Sequence, residues 1–129
     1  MFPFAKTDVV ISPDLEITVI DINDFDVEVL KIMDDNFVSI CEGNSDTELF
    51  VVKKYVIDLF SSKDNKWIMG ATAEFFVHLY MKLSGFKQEC LFLNLEEGSI
   101  KKGFDGYYSL NGEEWLMESK SGSANAHVP

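Results

Sequence analysis

The chain has 129 residues, of which 47% are hydrophobic and 13% aromatic, and its formal net charge is −11. This composition suits one folded domain with an apolar core and excludes a disordered chain. No run approaches the roughly 18 apolar residues of a membrane span, and no basic segment precedes an apolar stretch at the N-terminus. We therefore expect a cytoplasmic protein. Cys41 and Cys90, far apart in apolar surroundings, indicate buried free thiols, with a disulfide as the alternative.

The negative charge is concentrated in the N-terminal part of the chain. Residues 1–50 carry 12 acidic groups against 2 lysines, a net −10, whereas residues 51–129 carry 10 against 9, a net −1. Every basic residue is a lysine, so no guanidinium can clamp a phosphate in bidentate fashion. We expect such a chain to repel nucleic acid at long range unless metal ions or another domain supply positive charge.

The sequence of the N-terminal part predicts a hairpin followed by two helices. The β-branched segments DVVIS (8–12) and LEITVIDI (15–22) flank the turn signal Pro13-Asp14. Apolar spacing then predicts a helix from Asp24 to about Glu42, capped by Asn23 or Asp24, although VEVLKI also alternates like a strand. A second helix over 45–60 follows a capping-box pattern formed by Ser45 and Glu48.

The sequence of the C-terminal part predicts one helix followed by three strands. The helix covers 66–84, with Gly85 as its left-handed cap. The strand candidates are about 89–94, 104–110 and 114–120, and Asn111-Gly112 is a tight-turn signal between the last two. The chain is thus predicted to be α+β: an acidic region over 1–65 of unknown role and a second region over 66–129, in a single compact unit. Since no closing element follows the last strand, we expect a fragment of a longer protein, the alternative being a short flexible tail.

Charges on the last two strands are placed to meet. Alternation puts Glu118 and Lys120 on one face of their strand. A turn that pairs residue 110 with 113 places Asp105 opposite about Glu118, and two facing carboxylates repel unless a divalent cation joins them. A further acid, Glu74, sits in the apolar helix one turn before His78.

A helix with Glu74, then GFDG (103–106) and ESK (118–120), resembles the active-site layout of the PD-(D/E)xK nuclease superfamily, which has the restriction-endonuclease-like fold. Residues 70–120 are similar to the nuclease subunit of Hamachi-type anti-phage defence systems. The superfamily's proline is replaced here by Phe104. The resemblance implies a partial nuclease core and a Mg²⁺-dependent phosphodiesterase, with Mn²⁺ as a substitute.

The resemblance also implies the role of each residue. Asp105 and Glu118 would hold the metal, Lys120 would orient or activate the attacking water, and Glu74 would complete the ligand set or act just outside it. Nucleic acid, DNA before RNA, would be the substrate, reached through the parent protein and with a protein partner or further domain.

Two other classes remain open. The domain could be an inactive nuclease-like module whose acidic half binds a basic partner, or a small α+β adaptor without an active site. In these cases Asp105 is a turn residue, Glu118 and Lys120 form a solvated strand face, and Glu74 is an exposed helix position. No nucleophile elbow, phosphate-binding glycine loop, zinc spacing or dinucleotide fingerprint is present in the sequence.

Overall fold

The structure is a computed structural model that describes residues 4–94, 99–100 and 104–123. It is an α+β protein in which, within those residues, three helices follow a hairpin and precede a set of short antiparallel strands. The chain divides into two compact units, Met1–Met33 and Asp34–Pro129. The predicted boundary at 65/66 lies within the second unit. The elements are β1 (Ala5–Ser12), β2 (Leu15–Asp21), α1 (Val27–Glu42), α2 (Leu49–Ser61), α3 (Asn65–Leu83), β3 (Lys87–Gln88), β4 (Leu93–Asn94), β5 (Ser99–Ile100), β6 (Gly106–Leu110) and β7 (Glu113–Met117).

The first unit contains the predicted hairpin. β1 and β2 pair antiparallel from Ala5 opposite Asp21 to Ser12 opposite Leu15, with a register shift between Val10 and Ser12. One face of the hairpin is polar: the Thr18 hydroxyl donates to Asp8 Oδ1 at 2.6 Å, and Lys6 Nζ lies 3.5 Å from Asp8 Oδ2. These cross-strand bonds hold the register, so the prediction of two strands around Pro13-Asp14 is confirmed.

Helix α1 begins three residues later than predicted. Asp26 Oδ1 accepts a hydrogen bond from the Val29 backbone N–H at 2.9 Å, so Asp26 provides the capping carboxylate. The prediction of Asn23 or Asp24 as the cap was therefore wrong. The strand alternative for VEVLKI was also wrong, because this segment lies in α1.

Helix α2 lacks the predicted capping box. It begins at Leu49, and Glu48 occupies the N-cap position without a side-chain cap bond. Ser45 instead accepts from the Thr47 N–H at 3.1 Å and donates to Glu42 Oε1 at 3.1 Å. The hydroxyl that should have capped α2 is used inside the preceding loop.

Helix α3 is close to its predicted bounds. Asp64 Oδ1 accepts from the Trp67 N–H at 2.8 Å and caps the N-terminus. Gly85 follows the C-cap with φ +92°, the left-handed conformation predicted for it. No helix in the described part of the chain is long and apolar enough to cross a membrane.

The segment after α3 departs from the predicted strand over 89–94. Its regular pairing is limited to β3 and β4. Between them, Glu89 N still donates to the Tyr107 carbonyl of β6 at 2.8 Å, whereas Phe92 bonds to the end of α1. The Ile40 carbonyl, at the end of α1, accepts from Phe92 N at 3.0 Å and from Gln88 Nε2 at 2.9 Å. These bonds satisfy a carbonyl that lacks a partner within its own helix.

The principal sheet has the order β3-β6-β7 and is antiparallel throughout. A two-residue turn joins β6 to β7, with φ 52° at Asn111 and φ 83° at Gly112. Positive φ at both positions defines a type I′ turn, as the dipeptide predicted. The two strands were predicted as 104–110 and 114–120, but the ladder covers only 106–110 and 113–117.

The core of the second unit lies between the helices and this sheet. Phe75 on α3 is its centre, with ring centroids 5.5 Å from Phe37 and 5.9 Å from Phe92. Both cysteines are free and buried, as predicted. The buried apolar residues of this unit are Ile40, Cys41, Val52, Ala71, Phe75, Leu79, Cys90, Phe92, Leu93, Tyr108 and Met117.

Candidate active site

The candidate site starts where the β6–β7 ladder ends. Leu110 pairs with Glu113 beside the turn, and the last pair is Gly106 with Met117. Asp105 and Glu118 are the residues that follow this last pair, outside the ladder. The predicted pairing of these two residues therefore stays a prediction.

Asp105 is held in place by the opposite strand end. Its Oδ2 accepts from the Ser119 backbone N–H at 2.7 Å and from the Ser119 hydroxyl at 3.2 Å. Oδ1 of the same carboxylate has no hydrogen-bond partner among the described residues. Asp105 thus presents one fixed oxygen and one oxygen left for another partner.

Glu118 and Lys120 are both exposed, and no ion pair or hydrogen bond joins either to another residue of the described chain. Alternation along β7 explains their exposure, since Met117 is buried and its neighbours in sequence point the other way. Leu116, on the same side as Glu118, is 59% exposed. These two charges face solvent.

Glu74 is buried, with 8% of its surface exposed, rather than lying on an exposed face of α3. Its Oε1 lies 3.7 Å from Nε2 of His78, one turn later and fully buried. The other ring nitrogen, Nδ1, is hydrogen-bonded to the hydroxyl of Tyr108 on β6. Nε2 itself has no hydrogen-bond partner within the described part.

This arrangement places Glu74 on the side of α3 that faces the β6–β7 hairpin. Gly70, Glu74 and His78 are spaced four apart and lie on one face of α3. A β-carbon at Gly70 would lie 3.6 Å from Ser121 Oγ, while His78 contacts Tyr108. Glu74, midway between them on the helix, is therefore on the side of the hairpin that carries Met117 and Ser119.

The pKa of the Tyr108 hydroxyl agrees with a position of Glu74 near Tyr108. Burial raises the pKa of the Tyr108 hydroxyl, and electrostatic interaction with Cys90 and then with Glu74 raises it further. Tyr108 is consequently a neutral phenol near pH 7, able to donate its proton to His78 Nδ1.

The four predicted site residues thus divide into two groups. Asp105 bonds to Ser119 and lies at the strand end beside the exposed Glu118 and Lys120, whereas Glu74 is buried on α3. Among the residues that the structure describes, no group of three or more histidine, cysteine or carboxylate side chains is arranged to hold a metal ion.

Two residues with contacts to the candidate site residues were not singled out from the sequence, Ser119 and Tyr108. The alternation that exposes Glu118 also turns Ser119 toward the opposite side, which was the available signal for Ser119. Tyr108 carried no local signal, because its partner His78 is 30 residues away in sequence.

Comparison of the chain with protein-family models, curated proteins and solved structures finds no match. The assignment of a function therefore depends on the residues and their geometry.

Proposed function

We propose that this chain is the partial core of a metal-dependent nuclease, with a divalent cation held between Asp105 and Glu118. The carrying observation is the β6–β7 ladder, whose last pair is Gly106 with Met117, because continuing that register by one step would set Asp105 opposite Glu118. The order of α3 followed by a three-stranded antiparallel sheet supports a restriction-endonuclease-like fold for this part.

The side chains fit Mg²⁺ or Mn²⁺. Both ions prefer hard oxygen ligands, and Mg²⁺ is commonly held by only one or two carboxylates, with waters and substrate phosphate as its other ligands. Oδ1 of Asp105 and the exposed Glu118 carboxylate are the oxygens that would bind it. Bound there, the ion would polarise the phosphodiester and lower the pKa of a water.

The protein's own residues would act around that ion. Ser119 orients Asp105 through two hydrogen bonds, which reduces the ordering required when a ligand binds. The Lys120 ammonium would offset part of the negative charge of the carboxylates and stabilise negative charge near the scissile phosphate. Glu74 lies beneath the hairpin in the buried layer and supports the site from there.

The net charge of the chain limits how it could bind a nucleic-acid substrate. A chain with net charge −11 and no arginine attracts nucleic acid poorly. We therefore assign substrate capture, with DNA before RNA, to the parent protein or a partner, and the setting to cytoplasmic anti-phage defence. The interaction-module alternative has its own support in the first unit, described below.

A metal titration tests the site directly. Wild-type protein, Asp105→Asn and Glu118→Gln are titrated with Mn²⁺ and Mg²⁺ by calorimetry, beside Glu113→Gln, an exposed glutamate on the same hairpin. We expect saturable binding by the wild type and Glu113→Gln, and at least a tenfold weaker association, about 1.4 kcal/mol, in the two site variants. Equal binding by wild type and Glu118→Gln, or no saturable binding by the wild type, contradicts the proposal.

A further inference from the structure

The β1–β2 hairpin exposes apolar side chains along one face. Val9 pairs with Ile17 and Thr7 with Val19, so these residues share a face, and alternation along β2 adds Leu15; Ile11 lies next to them at the register shift near the turn. The exposed fractions of the apolar members are 45–55%: Val9 48%, Ile11 55%, Leu15 51%, Ile17 45% and Val19 47%. We call these five residues the hairpin face.

The hairpin face is specified by the sequence and is not a random scatter of exposed side chains. The opposite side carries the bonded polar residues Lys6, Asp8 and Thr18. A one-residue slip of register would exchange the two sides, and the Thr18–Asp8 hydrogen bond opposes that slip. A two-stranded hairpin is at best marginally stable in water by itself, and contiguous exposed apolar surface of this kind marks interaction sites.

The width of the hairpin face and the charge around it both restrict which kind of partner could bind there. Two strands about 4.8 Å apart present an apolar strip about 10 Å wide, which is the diameter of one α-helix with its side chains. Residues 1–33 carry seven acidic groups and two lysines, a net −5. Asp21 closes one end of the hairpin face opposite Ala5, and Asp14 lies in the turn at the other end. A second copy of this acidic surface would be repelled, whereas a cationic one would be attracted.

We propose that the hairpin face binds an amphipathic helix of another protein, with an apolar stripe flanked by lysine or arginine. The helix packs along the strip and buries the hairpin face, and its basic residues neutralise the acids at both ends. This surface is independent of the Asp105–Glu118 site, so either proposal can fail without the other.

The test uses the full chain and a defined probe, a fluorescent synthetic amphipathic helical peptide of leucine and lysine, measured by anisotropy. Val9→Ser changes the hairpin face, while Val10→Ser changes the adjacent residue on the opposite side, where Val10 is 71% exposed. We expect saturable binding by wild type and Val10→Ser, and about tenfold weaker binding by Val9→Ser and by Ile17→Ser. Backbone amide spectra of residues 5–21 in each variant establish that the hairpin is still formed.

Three results overturn the proposal. The first is no saturable binding by the wild type. The second is equal binding of the peptide by Val9→Ser and Val10→Ser with the hairpin intact, because the peptide would then be bound by unspecific charge attraction and not by the hairpin face. The third is a wild-type dimer in sedimentation that Val9→Ser dissociates and Val10→Ser does not, because a second copy then occupies the face. A matched peptide with glutamate in place of lysine should not bind, and equal binding by it contradicts the charge argument.

Discussion

The buried pair of His78 and Tyr108 makes the sharpest stability prediction. Both side chains are fully buried, and the Tyr108 hydroxyl is hydrogen-bonded to Nδ1 of His78. Tyr108→Phe removes only that hydroxyl and keeps the ring, whose centroid lies 5.8 Å from the imidazole. The substitution therefore isolates the polar contact from the aromatic packing.

The expected cost follows from the atoms that lose a partner. Nε2 of His78 already lacks a hydrogen bond within the described residues. After Tyr108→Phe, Nδ1 lacks one too, and an unsatisfied buried polar group costs about 1–3 kcal/mol. We expect the free energy of unfolding to fall by about 2 kcal/mol. With a urea m-value of about 2 kcal/mol/M, the midpoint should fall by about 1 M.

A double-mutant cycle separates the hydrogen bond from its surroundings. Urea unfolding is followed by the fluorescence of Trp67 and Trp115, which both lie in the second unit. His78→Leu alone leaves the hydroxyl of Tyr108 buried without its partner, whereas the double variant removes both polar groups. We expect the double variant to cost at least 0.5 kcal/mol less than the sum of the single changes, in the usual range for residues in contact. Additive costs, or a loss below about 0.5 kcal/mol for Tyr108→Phe, would refute the reasoning, since exposed sites change stability by that little.

Two further predictions concern glycine packing and thiol chemistry. A β-carbon at Gly106 would lie 2.8 Å from Tyr108 Cε2 and 2.9 Å from Met117 Cε, so Gly106→Ala should lower stability by about 1–3 kcal/mol. Gly70→Ala is the control: its new methyl meets only Ser121 Oγ at 3.6 Å, and inside a helix it should raise stability by about 0.5–1 kcal/mol in urea unfolding. Burial, with a smaller effect of the Glu42 charge, raises the pKa of Cys41 from 9.0 to about 12. The stability that this shift contributes is complete below pH 9 and is lost as pH rises toward 12. Native Cys41 should resist a thiol reagent at pH 8 and react in urea, as mapped by mass spectrometry of its peptide, and rapid native labelling would contradict its burial.

Features encoded by neighbouring residues were predictable from the sequence. The Asn111-Gly112 turn, the Gly85 cap and the β1–β2 hairpin each depend on a few adjacent side chains and their allowed φ values. The pairing of the strands up to Gly106 and Met117 follows from that turn by counting residues along an antiparallel ladder. The strand positions next to the candidate site could therefore be predicted without coordinates.

Features that depend on distant partners could not be predicted. After β3, Phe92 bonds to the Ile40 carbonyl, which also accepts from Gln88, 48 residues away in sequence. The burial of Glu74 was equally hidden, since α3 is apolar on most of its faces and gives no clear inward side. The predicted capping box of α2 was wrong for a related reason. The Ser45 hydroxyl bonds to Thr47 and Glu42, which are two and three residues away and so as near in sequence as Glu48.

The anchoring of α1 by later residues has a consequence during protein synthesis. Phe92, which supplies the donor N–H, is synthesised 52 residues after Ile40, which supplies the acceptor carbonyl (92 − 40 = 52). At translation rates of about 5–20 residues per second, this interval is about 3–10 s. Throughout it the neighbouring Cys41 lacks the packing that raises its pKa in the folded chain, and its thiol has ordinary reactivity. A thiol that is fully buried in the finished protein is therefore open to oxidants and electrophiles while the chain is still being made.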